Sequence, residues 1–116
     1  MEHTKLSRAD ASAVVTRLGW RYVLGEFRTE VLTGSLPLAA DVAARAATVP
    51  DVEGHLRMDI RADRLLLSVQ TGERAWVTTR DAELARQLSA LAQEFRLTTQ
   101  PGDRTVRRDG PVTTGG

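Results

Sequence analysis

The sequence has no cysteine, few aromatic residues and no long apolar segment. Aromatic side chains make up 4% of its 116 residues. Small secreted domains often depend on disulfides, so the absence of cysteine favours a reducing compartment. No segment approaches the roughly 18 consecutive apolar residues of a membrane span, and the polar N-terminus lacks the apolar core of a secretory signal. A soluble, cytoplasmic protein is therefore expected.

Charge and short motifs exclude several other classes of function. The 16 basic residues nearly balance the 15 acidic ones, which gives no overall field that would attract nucleic acid or an anionic membrane. The sequence has no metal-ligand spacing, no glycine-rich phosphate loop and no Gly-x-Ser-x-Gly elbow. We therefore expect no metal, no cofactor, no nucleic-acid partner and no membrane partner.

Length and composition predict a single domain. With 116 residues and 41% apolar content, the chain is large enough for one modest core and too small for two. Residues 1–97 carry the periodic apolar patterns of folded elements. Residues 98–116 are rich in glycine, proline and charge, so this segment is predicted to be a disordered tail.

Three helices are predicted from their capping residues and apolar spacing. Ser7 is a suitable N-cap for a first helix, which Gly19 is placed to end. Ser35 caps a second helix, expected to end near Ala47. The third begins with a Thr78–Asp81 capping box, and its apolar stripe is the clearest in the chain: Leu84, Ala85, Leu88, Leu91, Ala92 and Phe95.

Strands are predicted where the apolar period falls to two. Residues 21–33 form a hairpin split at Gly25-Glu26, and residues 56–61 and 64–70 form a second pair of strands. The predicted fold is α+β, in the order α-β-β-α-β-β-α, with helices on one face of a four-stranded, mainly antiparallel sheet. Leu66 is apolar yet points away from the helices. Together with the exposed sheet edges, it predicts a homodimer formed through the sheet.

The segment from residue 51 to residue 85 contains a recognisable pattern of residues that could take part in chemistry. An acidic residue, Asp51, precedes His55-Leu56-Arg57 by three spacers, and the third helix begins with Val77-Thr78-Thr79-Arg80-Asp81-Ala82-Glu83-Leu84-Ala85. This frame resembles the acidic, His-His-Pro and Leu-Thr-x-x-Asp-x-x-Leu-Ala motifs of the pterin-4a-carbinolamine dehydratases. Leu18-Gly19-Trp20 also resembles the Leu-x-Gly-Trp of that family, and the order of elements is the one known for it.

The resemblance implies that most of the family's catalytic residues are replaced here. His55 matches the first histidine of the family's trio, whereas the second falls on Leu56 and the last on Gly72. The proline falls on Arg57 and an aromatic residue on Ala62. Leucine and glycine cannot transfer protons, and each positioned acid or base contributes about 10²–10⁴-fold to such a dehydration. The frame therefore predicts a degenerate active site.

The same positions give the candidate site residues. His55 is a candidate catalytic base, with Asp51 or Asp59 as the carboxylate that orients it; the alternative is a polar residue that opens a strand. Arg57 brings a fixed cation to the predicted pocket, although a solvated strand face is the simpler interpretation of this arginine. The remaining candidate ligand-binding positions are Leu56, Ala62 and Gly72, the last two of which would enlarge the pocket, and Trp76, which either forms a contact surface or fills that space.

Three functions are compatible with the sequence. The first is a dehydratase-like protein whose pocket serves a different small molecule, as a ligand site or a repurposed acid–base catalyst. The second is a non-catalytic dimeric binding or assembly factor on the same scaffold. The third is a residual 4a-hydroxytetrahydropterin dehydratase, which would make the protein a lyase.

Overall fold

The computed structural model describes residues 4–72 and 76–102. The helices are α1 (Arg8–Thr16), α2 (Leu36–Ala46) and α3 (Thr79–Glu94). The strands are β1 (Arg21–Val23), β2 (Glu26–Leu32), β3 (Leu56–Ile60), β4 (Arg64–Val69) and β5 (Thr99–Gln100). The predicted α+β fold, with helices packed on an antiparallel sheet, is confirmed.

The sheet has the order β1-β2-β4-β3, and all its pairings are antiparallel. The central pair, β2 and β4, is in register from Phe27 opposite Val69 to Leu32 opposite Arg64. Among the described residues β3 pairs only with β4, so β3 forms one edge of the sheet. The short strand β5 lies beside β1 on the other side of β2.

The core lies between the sheet and the three helices. Alternate residues of β2 and β4 point inward because successive side chains of a strand face opposite sides. These inward residues pack against apolar side chains of the helices, and the fully buried members of the cluster include Phe27, Val31, Leu65, Val69, Val15, Val42, Leu84 and Leu88. The opposite, outer face of the sheet carries Arg28, Glu30 and Leu66 among others. Among the described residues, helices therefore cover only the inner face of the sheet.

Capping side chains begin all three helices as predicted. The Ser7 hydroxyl accepts a hydrogen bond from the Asp10 amide, and the Ser35 hydroxyl accepts one from the Leu38 amide. The Thr78–Asp81 capping box is complete. Each cap gives a partner to an amide that the first helical turn leaves unbonded.

The first hairpin turns at Leu24-Gly25, one residue earlier than the predicted Gly25-Glu26. Val23 pairs with Glu26, and the two residues between them have φ values of 51° and 79°. Two-residue hairpin loops favour positive φ at both positions because that geometry matches the twist of the strands. Leu24 adopts this conformation despite its side chain, which is 84% exposed.

The folded part of the chain extends past residue 97, where the tail was predicted to begin. Thr99 and Gln100 form β5, with Val31 opposite Thr99 and Glu30 opposite Gln100. The Thr29 hydroxyl donates a hydrogen bond of 3.0 Å to the Gln100 carbonyl. The rest of the predicted tail, from residue 103 onward, lies outside the described residues.

No helix in the described part of the chain is long and apolar enough to cross a membrane.

Candidate functional site

A histidine and a buried carboxylate meet where β3 and α3 begin. His55 immediately precedes β3, and Asp81 lies in the first turn of α3. The His55 Nδ1 atom is 2.8 Å from the Asp81 Oδ1 atom. The Asp81 side chain is 0% exposed and the His55 side chain is 15% exposed. A fully buried carboxylate thus contacts an imidazole that reaches the surface along part of its ring.

Both oxygens of Asp81 are held in place by hydrogen bonds. Oδ1 faces His55, while Oδ2 accepts from the Thr78 amide at 2.9 Å and from the hydroxyls of Thr71 and Thr78. A carboxylate with several donors on one oxygen cannot rotate without losing them. Asp81 therefore favours the imidazole tautomer that carries its proton on Nδ1.

Backbone hydrogen bonds bring these side chains together. The Gln70 amide donates to the His55 carbonyl at 3.0 Å, and the Gly72 amide donates to the Gly54 carbonyl at 3.2 Å. These bonds hold the approach to β3 beside the segment that follows β4. Thr71, in that segment, consequently lies within hydrogen-bonding distance of Asp81.

The two carboxylates that the sequence suggested as partners of His55 lie elsewhere. The Asp51 side chain is 82% exposed, with one oxygen 3.6 Å from an Arg80 nitrogen. Asp59 pairs with Arg61 at 2.8 Å, and this hydrogen bond lowers the pKa of Asp59 below its usual value. The structure places Asp81, in place of either residue, beside His55.

Asp81 was missed as a site residue because its sequence context already explained it. The Thr78-x-x-Asp81 pattern is a capping box, and one oxygen of Asp81 does cap α3. A carboxylate has two oxygens, however, and the cap leaves the other available. The sequence did contain one indication: His55 and Asp81 both belong to the set of motifs that resembles the pterin-4a-carbinolamine dehydratases.

Arg57 and His55 engage different parts of the fold. The guanidinium of Arg57 bonds to Gln70 at 2.8 Å and to Glu26 at 3.3 Å, and its side chain is 66% exposed. A groove of about 350 Å³ on this side of the sheet is lined by Arg57 and Asp59, together with Glu26, Arg28, Leu66 and Ser68. Leu56 instead packs against the core. Arg57 and His55 therefore bond to different side chains: Arg57 to Glu26 and Gln70, and His55 to Asp81.

Ala62 and Gly72 lie at opposite ends of β4. Ala62 is exposed in the turn that joins β3 to β4, and Gly72 is exposed beyond the other end of β4. Six strand residues span roughly 20 Å, so these two positions do not enlarge one pocket. A Cβ atom added at Gly72 would meet nothing within 4 Å. The ammonium of Lys5 lies 4.5 Å from the ring centroid of Trp76.

Within residues 4–72 and 76–102, no group of three or more His, Cys, Asp or Glu side chains is arranged to hold a metal ion.

Taken together, these elements define an α+β protein with a histidine–carboxylate pair at the start of its third helix. A similar fold is found in the crystal structure of a transcriptional coactivator/pterin dehydratase from Brucella melitensis, with a TM-score of 0.67. The match covers 77% of this chain and 99% of that chain, at 20% sequence identity. No family model matches the sequence, and no curated protein matches it significantly. The likeness supports, at the level of the fold, the scaffold that the sequence resemblance implied.

Proposed function

We propose that the protein is a dehydratase-like scaffold in which His55 and Asp81 form an acid–base pair for a small molecule other than a 4a-hydroxytetrahydropterin. The observation that carries the proposal is the 2.8 Å contact between Nδ1 of His55 and the fully buried carboxylate of Asp81. A carboxylate that orients an imidazole and stabilises its charged form is a recurring arrangement in general acid–base catalysis. The pair is preorganised because Thr71 and Thr78 hold the second oxygen of Asp81.

The positions that match the family's other two histidines argue for a different substrate. Leu56 is partly buried and packs on the core, and Gly72 presents no side chain to the site. A single oriented histidine would have to supply every proton transfer for which that family uses three. Dehydration of the pterin carbinolamine on this scaffold therefore lacks two of its acid–base groups.

We expect dehydration of 4a-hydroxytetrahydropterin to proceed within about tenfold of the buffer-catalysed rate, because each missing acid or base removes about 10²–10⁴-fold. Stopped-flow decay of the carbinolamine absorbance measures this rate. His55→Gln serves as the matched variant and should give the same rate as the parent. A parent rate far above background that falls in His55→Gln would contradict the proposal. It would instead support a residual 4a-hydroxytetrahydropterin dehydratase.

The proposed site itself is tested by protein-observed NMR with a library of small metabolites. Compounds that use the site should shift the His55 ring resonances and lose binding in His55→Gln. The control is Glu53→Gln, which removes a negative charge from an exposed position two residues away. If every bound compound binds His55→Gln as tightly as the parent, the site lies elsewhere.

A second candidate is a dimeric binding module, and the edge strand β3 favours it. Met58 and Ile60 project from this strand with 37% and 45% of their surfaces exposed. Natural proteins rarely leave an apolar sheet edge uncovered, since such an edge pairs readily with another strand. A homodimer formed through the sheet would cover it. Light scattering across micromolar concentrations tests this candidate, and a monomer throughout that range would exclude it.

A further inference from the structure

The outer face of the sheet carries two arginines on either side of a serine. Arg28 of β2 and Arg57 of β3 both lie opposite Ser68 of β4, the strand between them. Neighbouring strands of a sheet are about 4.8 Å apart, so the two arginine backbones are roughly 10 Å apart with Ser68 midway. All three residues line the groove of about 350 Å³ on this side of the sheet, which we call the outer-face groove.

Glu26 holds the two guanidinium groups together at this groove. Its Oε2 atom accepts from Nε and Nη2 of Arg28 at 3.0 and 2.6 Å, and its Oε1 atom accepts from Nη2 of Arg57 at 3.3 Å. The Glu26 side chain is 11% exposed, whereas those of Arg28 and Arg57 are 44% and 66% exposed. A nearly buried carboxylate therefore positions two cations that line the groove and remain accessible.

Arg28, Arg57 and Glu26 form an arginine–glutamate cluster that carries one surplus positive charge, since two arginines face one glutamate. Each guanidinium has five N–H groups. Within the described part of the chain, Arg28 bonds only through Nε and Nη2, and Arg57 only through Nη2. The Ser68 hydroxyl bonds to none of the described residues. One arginine would be enough to neutralise Glu26, so the second leaves a charge and several donors available to an anion.

We propose that the outer-face groove binds a small monocarboxylate with an apolar body. The carboxylate of this ligand accepts from the guanidinium groups of Arg28 and Arg57 and from the Ser68 hydroxyl. Its apolar body lies on Leu66, the next outward-facing residue of β4, which lines the same groove. Arginine suits this role because its planar fork of donors matches the two oxygens of a carboxylate.

Charge and size favour a carboxylate over a phosphate ester. One carboxylate brings the arginine–glutamate cluster to neutrality, whereas a phosphate dianion would leave the cluster with a net negative charge. Other arginines on this face are already engaged: Arg61 pairs with Asp59 at 2.8 Å, and Arg64 pairs with Glu30 at 3.0 Å. The volume of the groove is near the lower end of the range for small-molecule sites, about 300–1,000 Å³, so the ligand is small.

The outer-face groove is separate from the His55–Asp81 pair, so a ligand bound in it adds a function to the one proposed above. His55 bonds to Asp81 at the start of α3, and neither residue lines the groove. Carboxylate binding in the groove does not require acid–base chemistry at the pair. The two sites can therefore be tested independently.

Calorimetric titration with matched ligands tests the groove. The probes are aliphatic and aromatic monocarboxylates, each compared with its own primary amide and with inorganic phosphate. At least one carboxylate should bind with a dissociation constant below about 1 mM. Its amide and phosphate should each bind about tenfold more weakly or worse, because they lack the matching charge. If no carboxylate binds, or if the amides or phosphate bind as tightly as the carboxylates, the proposed site is wrong.

Arg28→Gln and Arg57→Gln should each weaken carboxylate binding by about tenfold or more, because each removes charge-assisted hydrogen bonds. Arg45→Gln is the matched control. It removes the same charge from α2, where Arg45 pairs with Glu94 on the other side of the sheet, and should bind within about twofold of the parent because salt screens distant charges. Circular dichroism confirms that the three variants are folded. Unchanged affinity in both groove variants would overturn the site.

Chemical-shift mapping on the parent protein locates the ligand without any substitution. In ¹H–¹⁵N spectra, the amides of Leu66 and Ser68 should shift most when the carboxylate is added. Shifts centred on His55 and Asp81 would instead place the ligand at the acid–base pair, which overturns the groove and leaves the proposed function in place. Shifts at Leu66 and Ser68, in a protein for which no compound binds at His55, would support the groove and contradict the proposed function.

Discussion

Gly19→Ala should destabilise the fold by about 2–6 kcal/mol, because two separate costs add at this position. Gly19 has a φ of +81°, a conformation that side chains disfavour. A Cβ placed there would lie 2.2 Å from the Thr99 carbonyl oxygen and 3.0 Å from its carbonyl carbon. Both contacts are backbone atoms of β5, so rotation of a side chain cannot relieve the overlap. Urea unfolding monitored by tryptophan fluorescence measures the loss.

Gly34→Ala is the matched control for that experiment. Gly34 has a similar φ of +78°, but an added Cβ would meet nothing within 4 Å. It should therefore cost only the strain of the left-handed conformation, about 1 kcal/mol. The difference between the two variants reports the contact of β5 with the turn before Trp20. Equal losses would contradict the placement of β5 against Gly19.

The contact of β5 with Gly19 joins residues that are far apart in the sequence, which is why the sequence predicted most of the fold but not β5. The helix caps and the alternating strands are local patterns, so Ser7, Ser35 and Thr78 could be assigned from their immediate neighbours. Two strand residues followed by Pro101-Gly102 carry no such pattern. Their position depends on pairing with β2 and on hydrogen bonds with residues about 70 to 80 positions earlier: Thr29 donates to the Gln100 carbonyl, and Thr99 donates to the Leu18 carbonyl.

The candidate site shows a similar division between local and distant information. The sequence frame singled out His55, and the capping pattern singled out Asp81, but nothing local indicated that they meet across 26 positions. Their contact depends on the backbone bonds from Gln70 and Gly72 to the approach of β3. Strand geometry likewise decides the position of Arg57, whose guanidinium meets Glu26 and Gln70 and not His55.

Asp81→Asn should both destabilise the protein and change the tautomer of His55. The asparagine keeps the size of the side chain but replaces one accepting oxygen with a donating amide group. If that amide group faces His55, it favours an imidazole with its proton on Nε2. If it faces Thr78, it places a donor against the Thr78 backbone amide, which is itself a donor to Asp81 in the capping box. Either arrangement also loses hydrogen bonds to a charged carboxylate, at a cost of about 1–3 kcal/mol.

Stability alone would not separate an orienting role from a capping role, so the tautomer of His55 is the decisive measurement. Long-range ¹H–¹⁵N correlation spectra distinguish a proton on Nδ1 from one on Nε2 in the neutral ring. Thr78→Ala is the control. It removes the hydroxyl that accepts from Arg80 and donates to Asp81, at a cost of about 0.5–2 kcal/mol. The Thr78 backbone amide and the Thr71 hydroxyl still hold Asp81, so the contact between His55 and Asp81 should remain. The parent and Thr78→Ala should show the Nδ1–H form, whereas Asp81→Asn should shift the ring toward Nε2–H. A parent ring that carries its proton on Nε2 would mean that Asp81 caps the helix without orienting His55, and the acid–base proposal would lose the observation that carries it.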